Sequence, residues 1–371
     1  MKSLKTFARE FKNIRQIKKL TDDNLVSKST PLYNGLLCLG VFVVLFCLLE
    51  LYIRQTQPIA LAYNYADCCD YVLKPNQKFS FSKKEFDSDI SINGLGLRGQ
   101  PPDLDKPLRI LILGDSFAFG YGVNDDESFP ARLEQLLRKP HQVAATVINA
   151  GHSGYDTRRE LGFLQTYGPH FSPNIVLVAF VLNDVLSNPG KLWFNAIPDG
   201  WLRYFPLRGT ATFLSYLIRN PSELMFKLGF NDDYPYTGND ALECLRSNGC
   251  TEDWQVTELF LKQIVISTRS MNANPVFVHI PVKEEILQKR GVAPYDLDGA
   301  EKRLQHLSNI LSVPMITLRN HIRAEDYYPL DSHWTAANHE RAAERVAKSL
   351  LRLGRNKQLK WWALEYDRHA K

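Results

Sequence analysis

Between Leu108 and Leu318 the apolar residues gather in five short runs: Leu108–Leu113 (LRILIL), Val143–Ile148, Ile175–Val181, Pro275–Ile280 and Pro314–Leu318. They are continuous rather than alternating, which suits strands buried on both faces of a parallel sheet. Stretches with helical patterning at 127–138, 156–167, 254–272, 298–311 and 335–353 follow the runs in turn. Strand alternating with helix in this way predicts an α/β fold over residues 108–353, a doubly wound, mostly parallel five-stranded sheet between helices. The aromatic- and proline-rich stretch 185–250 interrupts the alternation and reads as an insertion over one end of the sheet. Residues 354–371 read as a C-terminal extension.

A different pattern leads the chain. From Gly35 to Leu49 the sequence GLLCLGVFVVLFCLL holds no charge, and the apolar run continues to Ile53 with Glu50 as its only interruption. About 19 helical residues at roughly 1.5 Å each cover close to 30 Å, the thickness of a bilayer core. A transmembrane helix is therefore predicted over 32–53, with Pro31 at its start and Tyr33 and Tyr52 at the two interfaces. The small-x-small triplet Ala60-Leu61-Ala62 is far from the apolar run, which favours an anchor over a cleaved signal peptide. Residues 54–107, polar and rich in Pro and Gly, read as a membrane-proximal linker with a few short strands.

Composition changes this picture little. The chain has 371 residues, 44% hydrophobic and 23% charged, which excludes disorder, collagen and a polytopic membrane protein. Charge changes it more. The net charge is +5, yet residues 1–31 carry eight Lys/Arg against three acids, so the basic tail holds all of it. A balanced body has no footprint for phosphate backbones, and no nucleic-acid partner is expected. By the positive-inside rule the tail is cytoplasmic. The expectation is a single-pass protein of the inner (plasma) membrane with its body periplasmic or extracellular. Disulfides are permitted there. Cys244 and Cys250 flank the polar turn LRSNG and are expected to close a small loop, while the pairing of Cys68 and Cys69 stays open. There is no CxxC and no HExxH, so no metal is expected, and no cofactor either.

Ligands of open α/β sheets bind beyond the carboxyl ends of the strands. There the sequence places Gly114-Asp115-Ser116-Phe117, then Asn149-Ala150-Gly151-His152, then Asn183-Asp184, then Asp331-Ser332-His333-Trp334. The glycines after the first strand lack the GK[ST] of a phosphate loop and the spacing of a dinucleotide fingerprint. A serine needs a base to take its proton during attack, and that base needs an acceptor to fix its tautomer. Ser116, His333 and Asp331 supply those three chemistries if the loop before His333 curls back.

These four segments, ILILGDSFAFGYGV, NAGHSGYDT, FVLNDV and DSHWTAANH, resemble in order the four blocks of the SGNH (GDSL-type) hydrolases. INGLGLRG at 92–99 resembles the lead-in of membrane-anchored bacterial members. The resemblance implies Ser116 as nucleophile, His333 as base and Asp331 as its acid. It also implies an oxyanion hole from the N–H groups of Ser116 and Gly151 and the amide of Asn183. Many members place the acid three residues before the histidine, where this chain has Leu330. Arg98 and the aromatics Trp193, Phe194, Trp201 and Tyr204 are candidate substrate contacts. The implied activity is cleavage of O-acyl esters through an acyl-serine, on an acylated small molecule or an envelope glycan, O-acetyl groups included. Acyl transfer onto a glycan by the same serine, or a glycan-binding domain without catalysis, are the alternatives.

Overall fold

The computed structural model describes residues 31–48, 51, 62–139, 141–187, 244, 250–287, 296–356 and 358–359. The basic tail and the bulk of the insertion, including Trp193, Phe194, Trp201 and Tyr204, lie outside them. The chain divides into two units, Met1–Gln55 and Thr56–Lys371. In the first, Pro31–Leu48 forms helix α1, whose large apolar side chains are mostly exposed. By length and composition α1 suits a membrane span or a signal sequence.

The second unit is built on a parallel sheet of β5 (Leu108–Gly114), β6 (Ala145–Gly151), β7 (Ile175–Phe180), β8 (Asn274–His279) and β9 (Met315–Thr317), in the spatial order β6-β5-β7-β8-β9. The chain thus places its second strand outside the first and then reverses to add the others on the opposite side. In sheets of this order ligands bind in a crevice where the order reverses, here beyond the carboxyl ends of β5 and its neighbours β6 and β7. Alternate residues of each strand feed opposite faces. Leu111, Leu113, Val176, Val178 and Phe277 pack on one side, with Leu164 of α4 (Thr157–Phe171), Ile264 of α6 (Thr251–Ser270) and Leu304 of α8 (Gly299–Leu311). Ile110, Ile112, Leu177, Val276 and Val278 pack on the other, with Leu133 of α3 (Phe129–Arg138) and Val346 and Leu350 of α9 (Ala336–Arg355). Burial on both faces is why these strands read as continuous apolar runs.

The helix starts follow from local chemistry. Asp156 caps α4 by accepting from Arg159 N, and Pro130 sits in the first turn of α3, where its missing N–H costs nothing. Helix α9 continues to Arg355, and Leu359 beyond it is fully buried.

The lead-in holds short strands. Residues 63–92 form two antiparallel hairpins, β1 (Tyr63–Ala66) with β2 (Asp70–Leu73), and β3 (Gln77–Lys83) with β4 (Phe86–Ile92). Every second residue of β4 is buried, and Tyr63, Tyr71, Phe81 and Ile90 join the core on the α4 side. Sparse apolar residues set at every second position bury one face of a hairpin as effectively as a continuous run buries a central strand. The sulfurs of Cys68 and Cys69 are bonded at the tip of the first hairpin, and those of Cys244 and Cys250 are bonded ahead of α6.

Candidate active site

Strand β5 ends at Gly114 and turns directly into the short helix α2 (Ser116–Phe119), which sets Ser116 at the crevice. Asp115 caps this helix, its Oδ1 accepting from Phe117 N at 2.9 Å. Gly151 lies opposite Gly114 in the sheet register. A Cβ on Gly151 would come within 2.6 Å of the Ala118 carbonyl carbon, so α2 can sit this low only over a glycine.

His333 reaches Ser116 from the far side of the crevice. Its Nε2 is 2.8 Å from Ser116 Oγ, and its Nδ1 is hydrogen-bonded to Asp331 Oδ1. The two-residue spacing works because Ser332, between them, adopts a left-handed backbone with φ 64°. The loop is closed by Tyr328 N donating to His333 O at 2.8 Å and Ser332 N donating to Tyr328 O at 3.1 Å. The imidazole rests between Phe117 and Tyr121, with ring centroids 5.1 Å and 4.4 Å away. Below it, Trp334 is fully buried against Phe117 and anchors the start of α9.

The other oxygen of Asp331 is also engaged: Lys83 Nζ, at the end of β3, donates to Oδ2 at 2.9 Å. Burial alone would raise the Asp331 pKa, but the hydrogen bond from His333 and the charges of His333 and Lys83 outweigh it and lower it to about 2. Glu85 in the β3–β4 turn accepts from Leu330 N and Asp331 N, both at 2.9 Å. Neither hairpin residue was legible as part of the site, because Lys83-Lys84-Glu85 looks like any solvated turn.

Ser116, Gly151 and Asn183 come together at the ends of β5, β6 and β7, as the order of the sheet requires. Asn183, the first residue of α5 (Asn183–Ser187), donates from Nδ2 to Asp115 Oδ2 at 2.8 Å. Gly151 N donates to Asn149 Oδ1 at 3.0 Å, so an oxyanion would compete with that side chain for the proton. Arg98 requires a correction. Its side chain is 1% exposed, and it bonds Asp125 Oδ1 and the carbonyls of Phe119, Gly120 and Val123. It fixes the loop after α2 rather than facing a substrate, because its donors are spent on backbone carbonyls that would otherwise be buried unpaired.

Two buried histidines near the site, His152 and His339, are part of the packing. His339 Nδ1 accepts from Phe129 N at 3.1 Å, and burial pushes its pKa down to about 3. His152 is bonded through Nδ1 to Ala150 O and is likewise pushed down by burial, to about 4. Among the described residues there is no cluster of His, Cys, Asp and Glu able to hold a metal ion.

Two further buried acids, Glu160 and Asp184, lie close enough to Asp115 to feel its charge. Glu160 of α4 is fully buried and neither of its oxygens meets a donor among the described residues; Asp184 is fully buried, with Oδ2 accepting from Val181 N. Burial, and then the neighbouring carboxylates, push both pKa values well above the ordinary range. An unfolded chain releases these protons above its ordinary carboxylate value of about 4, whereas the native chain keeps them. Their contribution to stability is therefore complete below that ordinary value and is lost as pH rises through the raised native one, by up to about 1.4 kcal/mol per pH unit for each group. Glu160→Gln carries the neutral shape without the proton. In denaturant unfolding of the detergent-solubilised chain, stability should fall less from about pH 5 to about pH 8 in this variant than in wild type. Parallel declines would contradict it.

The fold and this crevice define an enzyme of the open parallel-sheet α/β class with serine, histidine and carboxylate in line at the sheet's switch point. Residues 112–341 match the GDSL-like lipase/acylhydrolase family, and the chain belongs to that family, within the SGNH hydrolase superfamily. It is an ester-hydrolysing enzyme. No curated protein matches the chain. Similar solved structures include TesA, at 14% identity and TM-score 0.40, covering 65% of this chain and 97% of its own. They also include the acetylxylan esterase Axe2 from Geobacillus stearothermophilus, at 13% identity and TM-score 0.41, covering 67% and 95%. A G-D-S-L lipolytic protein from Desulfitobacterium hafniense shares 12% identity at TM-score 0.38, covering 65% and 98%.

Proposed function

We propose that the protein is an extracytoplasmic serine esterase that removes O-acyl groups, O-acetyl groups of envelope glycans included, through an acyl-serine at Ser116. The observation that carries the chemistry is the continuous chain of Ser116 Oγ, the His333 ring and Asp331. As Oγ attacks the ester carbonyl carbon, His333 Nε2 takes its proton, and Asp331 stabilises the imidazolium through Nδ1. The carbonyl oxygen becomes an oxyanion, met by the N–H groups of Ser116 and Gly151 and by Asn183 Nδ2. When the intermediate collapses, the bond to the alcohol oxygen breaks and the alcohol leaves with the proton from Nε2. Water then repeats the sequence on the acyl-serine and releases the acid. A sugar hydroxyl in place of that water gives acyl transfer.

The exported location is supported by α1 together with the basic tail before it. Both halves of the reading meet in one experiment. A membrane-impermeant fluorophosphonate applied to spheroplasts expressing the chain should modify Ser116, seen as an adduct on its tryptic peptide. Modification only after lysis would overturn the location. No modification in either case would overturn the serine chemistry. Product analysis on an O-acetylated oligosaccharide, with and without a second glycan, then separates hydrolysis from transfer.

A further inference from the structure

We propose that Lys83, on the lead-in hairpin, is a positioning residue for the triad: it holds Asp331 by Oδ2 so that Oδ1 faces His333, and its charge offsets the pull of that carboxylate on the imidazole. The inference rests on the proposed roles of Ser116, His333 and Asp331 and adds a group from outside the segment that carries the family's motifs, since β3 and β4 precede residues 112–341.

The geometry is specific. Lys83 is the last residue of β3, paired with Phe86 across a two-residue turn. Its ammonium is 2.9 Å from Asp331 Oδ2 and is stacked over the Phe81 and Tyr121 rings, 5.6 Å and 5.1 Å from their centroids. Those rings are themselves in edge contact, and Tyr121 also lies against His333, so one aromatic cluster orients the lysine and the imidazole together. Glu85, two residues on, accepts from Leu330 N and Asp331 N. The hairpin end therefore grips the acid loop at its backbone and at its side chain. An aspartate whose two oxygens have two different fixed donors has one orientation, which a loop carboxylate alone would not have.

Charge supplies the second half. A carboxylate with one oxygen on the ring favours the imidazolium, and a cation on its other oxygen offsets that preference. The remaining charged and titratable groups around the pair are Glu85 from the β3–β4 turn, Tyr121 from the loop after α2, Asp115 from the α2 cap and His339 from α9. Tyr328 belongs to the acid loop itself, and Lys283 of α7 (Lys283–Leu287) reaches only the carbonyls of Tyr328 and Pro329. Lys83 is thus the one cation among the described residues bonded to the Asp331 carboxylate. Removing its charge should stabilise the imidazolium in the free enzyme and leave less base at low pH.

The test is the pH dependence of kcat/KM on an activated ester for the full chain in detergent. Lys83→Met and Lys83→Gln should move the acidic limb upward by about half a unit to one unit, while Lys83→Arg leaves it in place. The pH midpoint of the low-field proton resonance between His333 Nδ1 and Asp331 should move the same way. That resonance does not require turnover, so failure of the esterase reading and failure of this one are told apart. A uniform loss of rate with the limb and the resonance midpoint unmoved would overturn the proposal. So would failure of both neutral variants to fold while Lys83→Arg folds, which would assign Lys83 to the hairpin alone.

Discussion

Ser116→Ala and His333→Ala should each abolish ester turnover, by on the order of a million-fold where substrate binding is retained, and the double variant should lose little more than either one. The reason is the 2.8 Å contact between Oγ and Nε2: without the hydroxyl there is nothing to attack, and without the ring nothing takes the proton. Each removes the same step, so the losses cannot add. Folding should survive both. Among the described residues Ser116 Oγ makes only a 3.5 Å contact to Asp115 besides its bond to His333, and the loop around His333 is held by its own backbone bonds and by Trp334. What persists would be the activity of the oxyanion donors and of binding alone. Single-turnover rates and thermal unfolding on the three variants check this. Clearly additive losses would contradict a shared proton transfer, and full activity in either single variant would end the proposed mechanism.

The parts of the fold that follow from continuous apolar runs were legible before any coordinates. All five central strands lie within a few residues of the expected runs, and the sheet order then brings Ser116, Gly151 and Asn183 to one edge. What escaped has a physical reason. The short strands expected within residues 54–107 could not be placed or paired, because the hairpins of residues 63–92 bury one face only and their signal is weak alternation in a polar stretch. Lys83 and Glu85 act through contacts some 245 residues away in the chain, and no local pattern marks such a contact. Arg98 shows the opposite error. A lone arginine between glycines suggested a substrate contact, but its side chain closes the loop after α2 from within. Glu160 was silent because a buried acid in a helix has the same spacing as an exposed one.

Asp331→Asn should lower turnover by several orders of magnitude, about ten-thousand-fold, with folding and binding intact. In wild type Asp331 accepts twice, from His333 at Oδ1 and from Lys83 at Oδ2. Asparagine has one oxygen and one NH2 for those places. Lys83 is only a donor, so it takes the amide oxygen and turns the NH2 toward His333. The ring must then accept at Nδ1 and carry its proton on Nε2, where it can no longer receive one from Ser116. The opposite orientation would set the NH2 against the ammonium at hydrogen-bond distance, which is repulsive. Lys83 therefore enforces the wrong tautomer, and adding Lys83→Met to Asp331→Asn should recover part of the loss, because the amide is then free to turn. Kinetics on an activated ester across the two single variants and the double one decide the matter. A single Asp331→Asn variant within about tenfold of wild type would leave a Ser116–His333 dyad oriented by some other acceptor. A double variant no better than Asp331→Asn would remove Lys83 from the account of the tautomer.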